Sequence, residues 1–130
     1  MTAITSFKSY TVDQIATLST EQIKSANSAA VKSLTAEQIK AFSPEQIAAF
    51  GQTDTGYDAS VITAFSGAQL AAFTPYQAQF GLATGQINAF SSSQVLSLST
   101  GQIQVMGSDQ IDAIKTENVK ALSATQLKVM

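Results

Sequence analysis

Large apolar residues recur along this chain at two places in an eight-residue period. With the stretch SPEQIAAF (43–50) filling positions one to eight, these are positions five and eight. Over residues 3–50, position five is Phe7, Ile15, Ile23, Val31, Ile39 and Ile47, and position eight is Tyr10, Leu18, Ala26, Leu34, Phe42 and Phe50. Over residues 83–130, position five is Ile87, Val95, Ile103, Ile111, Val119 and Leu127, and position eight is Phe90, Leu98, Met106, Ile114, Leu122 and Met130. Position four is Gln at 14, 22, 38, 46, 86, 94, 102, 110 and 126. Each of these two stretches therefore holds six octads. Residues 51–82 are the irregular centre: GQTDTGY (51–57) is one residue short and TPYQAQFGL (74–82) one long. The two slips are expected to cancel, so that 3–130 reads as sixteen units of one repeat domain over 1–130. The chain stops on a position eight, which reads as a whole number of repeats without a distinct cap.

The period excludes one long helix, because eight residues advance a helix by ~800°, about 80° beyond two turns, and the apolar positions would spiral around the axis. Pro44 and Pro75 would interrupt it as well. A strand would send positions five and eight to opposite faces, since they are three apart. The filling residues, Ala, Gln, Glu, Lys and Leu, are helix formers. A β-solenoid is therefore the alternative, and a chain of very short helices is the reading.

Position one carries Thr11, Ser19, Asn27, Thr35, Ser43, Ser66, Thr74, Ser91, Ser99 or Ser123, residues whose side-chain oxygens accept the free amides of a first helical turn. Pro44 and Pro75 follow the cap, where proline costs a helix least. Glu21, Glu37, Glu45, Asp109 and Glu117 fall in the first turn, and a Gln three residues after the cap completes a capping box. Lys24, Lys40 and Lys120 lie three residues beyond an acid. A helix of one or two turns does not survive alone in water. The octads must stack on one another, and the expected fold is all-α: a solenoid of short capped helices, one per octad, around an Ile/Phe/Leu spine.

Composition narrows the chemistry. Charged residues are only 12% of the chain, the net charge is −2, and the basic residues include no Arg and no basic run. Nucleic acid and anionic membranes thus lack an electrostatic footprint. There is no Cys, His or Trp, so thiolate and imidazole chemistry are absent. No apolar run approaches the ~20 residues of a membrane span, and the first ten residues do not read as a cleavable signal. A serine nucleophile would have only Lys or a carboxylate as base. No enzymatic activity is expected. No residue is assigned a catalytic, cofactor-binding or metal-binding role, and no cofactor is called for.

Three features have competing readings. The Gln row reads as hydrogen bonding within the stack or as an exposed amide ladder. Asp54 and Asp58, in GQTDTGYD (51–58), lack the alternating acids of an EF-hand loop, so a bent joint competes with a weak calcium site. Phe42, Phe50, Phe65, Phe73 and Phe90 read as core, whereas Tyr57, Tyr76 and Phe80 are the aromatics expected at the surface.

Octads such as TAEQIKAF and SPEQIAAF resemble the tandem L-[ST]-x-E-Q-[IV]-x-A-L repeats of very large secreted or surface-anchored bacterial proteins described as adhesin-like. The likeness runs through nearly the whole chain and implies a non-catalytic structural or adhesive role outside the cell or on its surface. SPEQIAAF is also similar to the opening of a TAL-effector repeat, but the longer period, base-reading pair and basic coil of those repeats are missing. The expected function is that of a structural repeat protein of the bacterial surface or extracellular matrix, forming a rod or coil that self-associates into filaments or serves as an adhesin stalk. Its expected partners are other copies, a longer repeat array, or surface and matrix components. The alternative is an α-solenoid that binds a peptide or protein.

Overall fold

The computed structural model describes residues 3–130. Among them are fourteen short helices: α1 (Val12–Ala16), α2 (Thr20–Lys24), α3 (Ser28–Lys32), α4 (Ala36–Lys40), α5 (Pro44–Ala49), α6 (Ala59–Ile62), α7 (Gly67–Ala71), α8 (Pro75–Gly81), α9 (Thr84–Ala89), α10 (Ser92–Ser97), α11 (Thr100–Val105), α12 (Ser108–Asp112), α13 (Thr116–Val119) and α14 (Ala124–Lys128). The described residues hold no strand beyond one isolated bridge between Gln52 and Tyr57. The fold is an all-α solenoid, and the β-solenoid alternative is set aside.

The caps explain where each helix starts. All ten residues read as N-caps from the sequence do cap, each accepting a backbone amide three residues on. In α5, Ser43 Oγ accepts from the Gln46 amide at 3.2 Å, and Gln46 Oε1 accepts from the Ser43 amide at 2.8 Å. These reciprocal bonds satisfy two amides that a helix start otherwise leaves open. Of the three acid–lysine spacings, Glu21–Lys24 closes as an ion pair, at 3.1 Å on an exposed face where such a pair contributes little.

Stacking supplies what five-residue helices lack. Every helix from α1 to α11 packs against the third helix after it. Position-five residues such as Ile15, Ile23, Ile39, Ile87 and Val95 are fully buried. Down the axis the position-eight aromatics form a chain of edge-to-face contacts, Phe42–Phe50 at 5.1 Å, Phe50–Phe65 at 5.6 Å and Phe65–Phe73 at 5.8 Å. Phe7, from position five of the first unit, joins it against Phe42 at 5.9 Å. That geometry adds to the area the rings bury.

Two units form no helix. Residues 3–10 lie along the next turn and end in a turn of their own, closed by the Tyr10 amide on Phe7 O at 3.0 Å: the Phe7 amide donates to Ser33 Oγ at 2.8 Å, and Ile4 O accepts from the Asn27 amide at 3.2 Å. Residues 51–57 fold into a small loop instead. Gly51 turns the chain with φ +73, a left-handed conformation that glycine adopts without strain. Gly51 O then accepts from the Asp58 amide at 2.7 Å, and Gly56 O from the Thr53 amide at 2.8 Å. The chain thus returns almost to where it left, and α6 follows α5 as though the loop were absent. This corrects the sequence count: 51–57 is an excursion from the stack and not a shortened member of it.

Candidate functional site

The position-four glutamines make the most regular feature of the molecule. Oε1 serves the cap of its own helix, which leaves Nε2 free to reach sideways. Gln46 Nε2 donates to Ile15 O and Leu18 O, both at 2.8 Å. Gln102 Nε2 donates to Leu70 O and Phe73 O, again at 2.8 Å. The same pair of bonds runs from Gln77 to Ile39 and Phe42, from Gln86 to Ile47 and Phe50, and from Gln94 to Ile62 and Phe65. Gln38, Gln69, Gln110 and Gln126 behave alike. Each acceptor pair is the open carbonyl end of a helical turn, so one buried amide seals the start of its own helix and the end of another. The Gln row is hydrogen bonding within the stack over this length, not an exposed ladder.

The partner is always four units of the stack back, a helix in every case but that of Gln38. Gln38 reaches the end of the 3–10 unit; α5 reaches α1, α7 reaches α3, and α14 reaches α10. In residues the separation varies. From Gln to the first carbonyl it is 31 for Gln46, 38 for Gln69 and Gln77, 39 for Gln86, and 32 for Gln94, Gln102 and Gln110. The increments have plain origins. Pairs that span 51–57 gain its seven residues, and pairs that span 74–82 gain its one extra residue. The short and long units therefore do not cancel; each is absorbed on the spot, the first as a loop and the second as the longer helix α8.

The row is interrupted three times among the helices, first by the buried Ala30 of α3, which has no unit four places back to seal. In the unit 115–122, Asn118 replaces Gln and, being shorter, reaches only Phe90 O at 2.8 Å. In α6, position four is the buried Val61, which has no donor. The carbonyls it would seal belong to Ile23 and Ala26, and there the 51–58 segment and Lys24–Asn27 border a cleft of about 230 Å³. Tyr57 points away from this cleft and anchors the loop, its ring over Gly85 and its hydroxyl donating to Ala48 O at 2.8 Å. Partial burial pushes the Tyr57 hydroxyl above its ordinary value of 10.0, with Lys24 acting in the opposite sense. Asp58 caps α6; its carboxylate accepts from the Ser60 hydroxyl at 2.7 Å and the Ser60 amide at 2.9 Å, which hold it below the ordinary carboxylate range.

Asp54 and Asp58 are placed in this loop as the sequence suggested, but no group of three or more potential ligand residues that could hold a metal occurs among the described residues. The interior offers little room: the space bounded by Ile47, Phe65, Phe73 and Phe90 is about 10 Å³, at the lower limit for one water. Phe42, Phe50, Phe65, Phe73 and Phe90 are core. Tyr76 and Phe80 stand exposed on α8 with ring centroids 4.9 Å apart. Tyr57 is only half-buried. The residues that sequence reasoning did not single out are Ser25 and Ser33, whose hydroxyls receive the amides of Ile4 and Phe7 and pin the first unit. Their signal was a Ser at position seven, where Ala is the commoner residue.

Residues 96–124 match the family model of the ALTTAQ repeat, which supports a repeat protein. No curated protein and no solved structure matches the chain. No helix among the described residues is long and apolar enough to cross a membrane.

Proposed function

We propose that this chain is a non-enzymatic structural repeat protein of the bacterial surface or extracellular matrix, a rod whose copies associate into filaments or that serves as the stalk of an adhesin. The observation that carries this reading is the buried glutamine seal. A rod that bears load needs each turn fastened to its neighbour by bonds that water does not compete for, and nine glutamines here make at least two such bonds each within 2.8–3.1 Å. The tight interior and the lack of His and Cys are consistent with a mechanical role.

The test has two arms in a bacterium that carries the gene. Surface proteolysis and fractionation should find the protein outside the cytoplasm, and electron microscopy of the purified protein should show elongated particles or filaments. A cytoplasmic pool of globular monomers would overturn the reading.

The exposed Tyr76–Phe80 pair favours the second reading, a solenoid that binds a protein or peptide. A cleft beside it is lined by Gln79, Phe80, Gly107, Ser108, Asp109 and Gln110. That reading predicts one stoichiometric partner in a pull-down, lost with Tyr76→Ala and Phe80→Ala together.

A further inference from the structure

The helix-to-helix rule leaves matching groups without partners among the described residues in the first and last turns of these 130 residues. At the first turn, Gln14 and Gln22 hold their own caps with Oε1, through the amides of Thr11 and Ser19 at 2.9 and 2.8 Å. Their Nε2 groups have no acceptor among the described residues. Both line one open cleft of about 380 Å³, together with Tyr10 and Leu18. At the last turn the carbonyls of Ile111, Ile114, Val119 and Leu122 are the paired ends of α12 and α13. Ile111 O and Val119 O already accept from the amides of Ile114 and Leu122, as the sealed pairs of the interior do. No side chain among the described residues donates to any of the four.

The apolar positions are complementary too. In the first turn, position five is buried and position eight, Tyr10 and Leu18, is only half-covered. In the last turn the order reverses. Ile114 and Leu122 at position eight are buried, with the last one, Met130, exposed; Ile111 and Val119 at position five are only partly covered, and Leu127 is 48% exposed where the position-five residues of α1, α2 and α9–α11 are at most 1%. One end lacks a cover for position eight and the other a cover for position five. An interior joint of this solenoid provides both at once.

We infer that a second copy of this chain seats its first turn on the last turn of the copy before it, continuing the superhelix head to tail. The inference rests on the structural reading above and supplies its contact. With the count kept at four helices back, the register is fixed. Gln14 Nε2 takes Ile111 O and Ile114 O of the neighbour, and Gln22 Nε2 takes Val119 O and Leu122 O. The contact is heterologous, so it propagates into a filament and does not stop at a dimer.

The experiment uses the whole 130-residue chain, with sedimentation velocity over a concentration series and electron microscopy. The parent should form linear oligomers that lengthen with concentration. Gln14→Glu and Gln22→Glu keep the oxygen that serves the cap and replace the donor by an oxygen that repels a carbonyl. Each should weaken association by at least about tenfold, with unchanged helicity, whereas Gln79→Glu on the exposed face of α8 should not. A photo-reactive residue at the exposed Thr17, which lines the same cleft and leaves both glutamines in place, should cross-link to the last turn of a neighbour. Association that survives both Glu variants, or that is lost with Tyr76→Ala, overturns this contact while leaving self-association intact. A monomer at every concentration overturns it outright, and the structural role is then judged by cell location alone.

Discussion

Residues 43–50 and 51–57 are neighbours in the chain and opposites in the stack. In the first, Ser43 caps, Gln46 seals, and Ile47 and Phe50 bury. In the second there is no capped helix and no sealing amide; the chain turns at Gly51, closes on itself through the Gly51–Asp58 bond, and leaves. Yet α5 packs on α2 and α8, and α6 on α3 and α9, so both sides of the loop keep the third-helix rule of the rest of the stack. The difference teaches what sets register here. The stack counts helices, each defined by its cap, seal and two apolar residues, and it is indifferent to residues that lie between helices.

That distinction can be broken or sharpened by substitution. The largest effect should come from removing half of a counted unit. Deleting 95–98 takes out Val95 and Leu98 and the carbonyls that Gln126 seals. The expected outcome is loss of cooperative unfolding in a circular dichroism melt. Phe50→Ala should cost about 3–5 kcal/mol in chemical denaturation, because the ring touches Phe7, Phe42 and Phe65 and is 1% exposed. Gln102→Leu should cost roughly 3 kcal/mol, since it leaves two buried carbonyls and the Ser99 amide without their partner. Gln14→Leu, with no carbonyls to abandon within the chain, should cost under about 1 kcal/mol in the same assay.

A smaller effect belongs to the excursion itself. Tyr57 titrates above its ordinary value of 10.0 in the folded chain, first because of burial. The neutral hydroxyl is therefore the form that the fold favours. Its stabilising contribution is complete below pH 10.0 and is lost as pH rises through the raised folded value. Thermal melts across that window should show a modest fall that Tyr57→Phe lacks, and Tyr57→Phe itself should cost about 1 kcal/mol at neutral pH.

Much of this was legible in the sequence because helix starts are local. A Thr or Ser followed three residues later by Gln needs only its own octad, and all ten cap assignments hold. The aromatic core was legible for the same reason, through spacing alone. The destination of Gln Nε2 was not. It depends on which carbonyls lie across the turn, 31 to 39 residues away, a distance set by how many helices make a turn. The loop at 51–57 was misread because its length, one short of eight, mimics a member of the array. Only the seven-residue jump in the Gln separations separates a loop from a worn repeat. Val61, a position four without an amide, was the one local hint that the stack is unusual there.

The rule that helices, not residues, are counted is tested most directly by deleting 51–57 and determining the structure of the product. The deletion joins Phe50 to Asp58 and leaves every counted unit in place. The account predicts a folded solenoid with melting close to the parent. Gln69 Nε2 should still bond Val31 O and Leu34 O, now across 31 and 28 residues, the separations that Gln46 shows to Ile15 and Leu18. A chain that fails to fold, or one in which Gln69 moves to the carbonyls of a different helix, would contradict it.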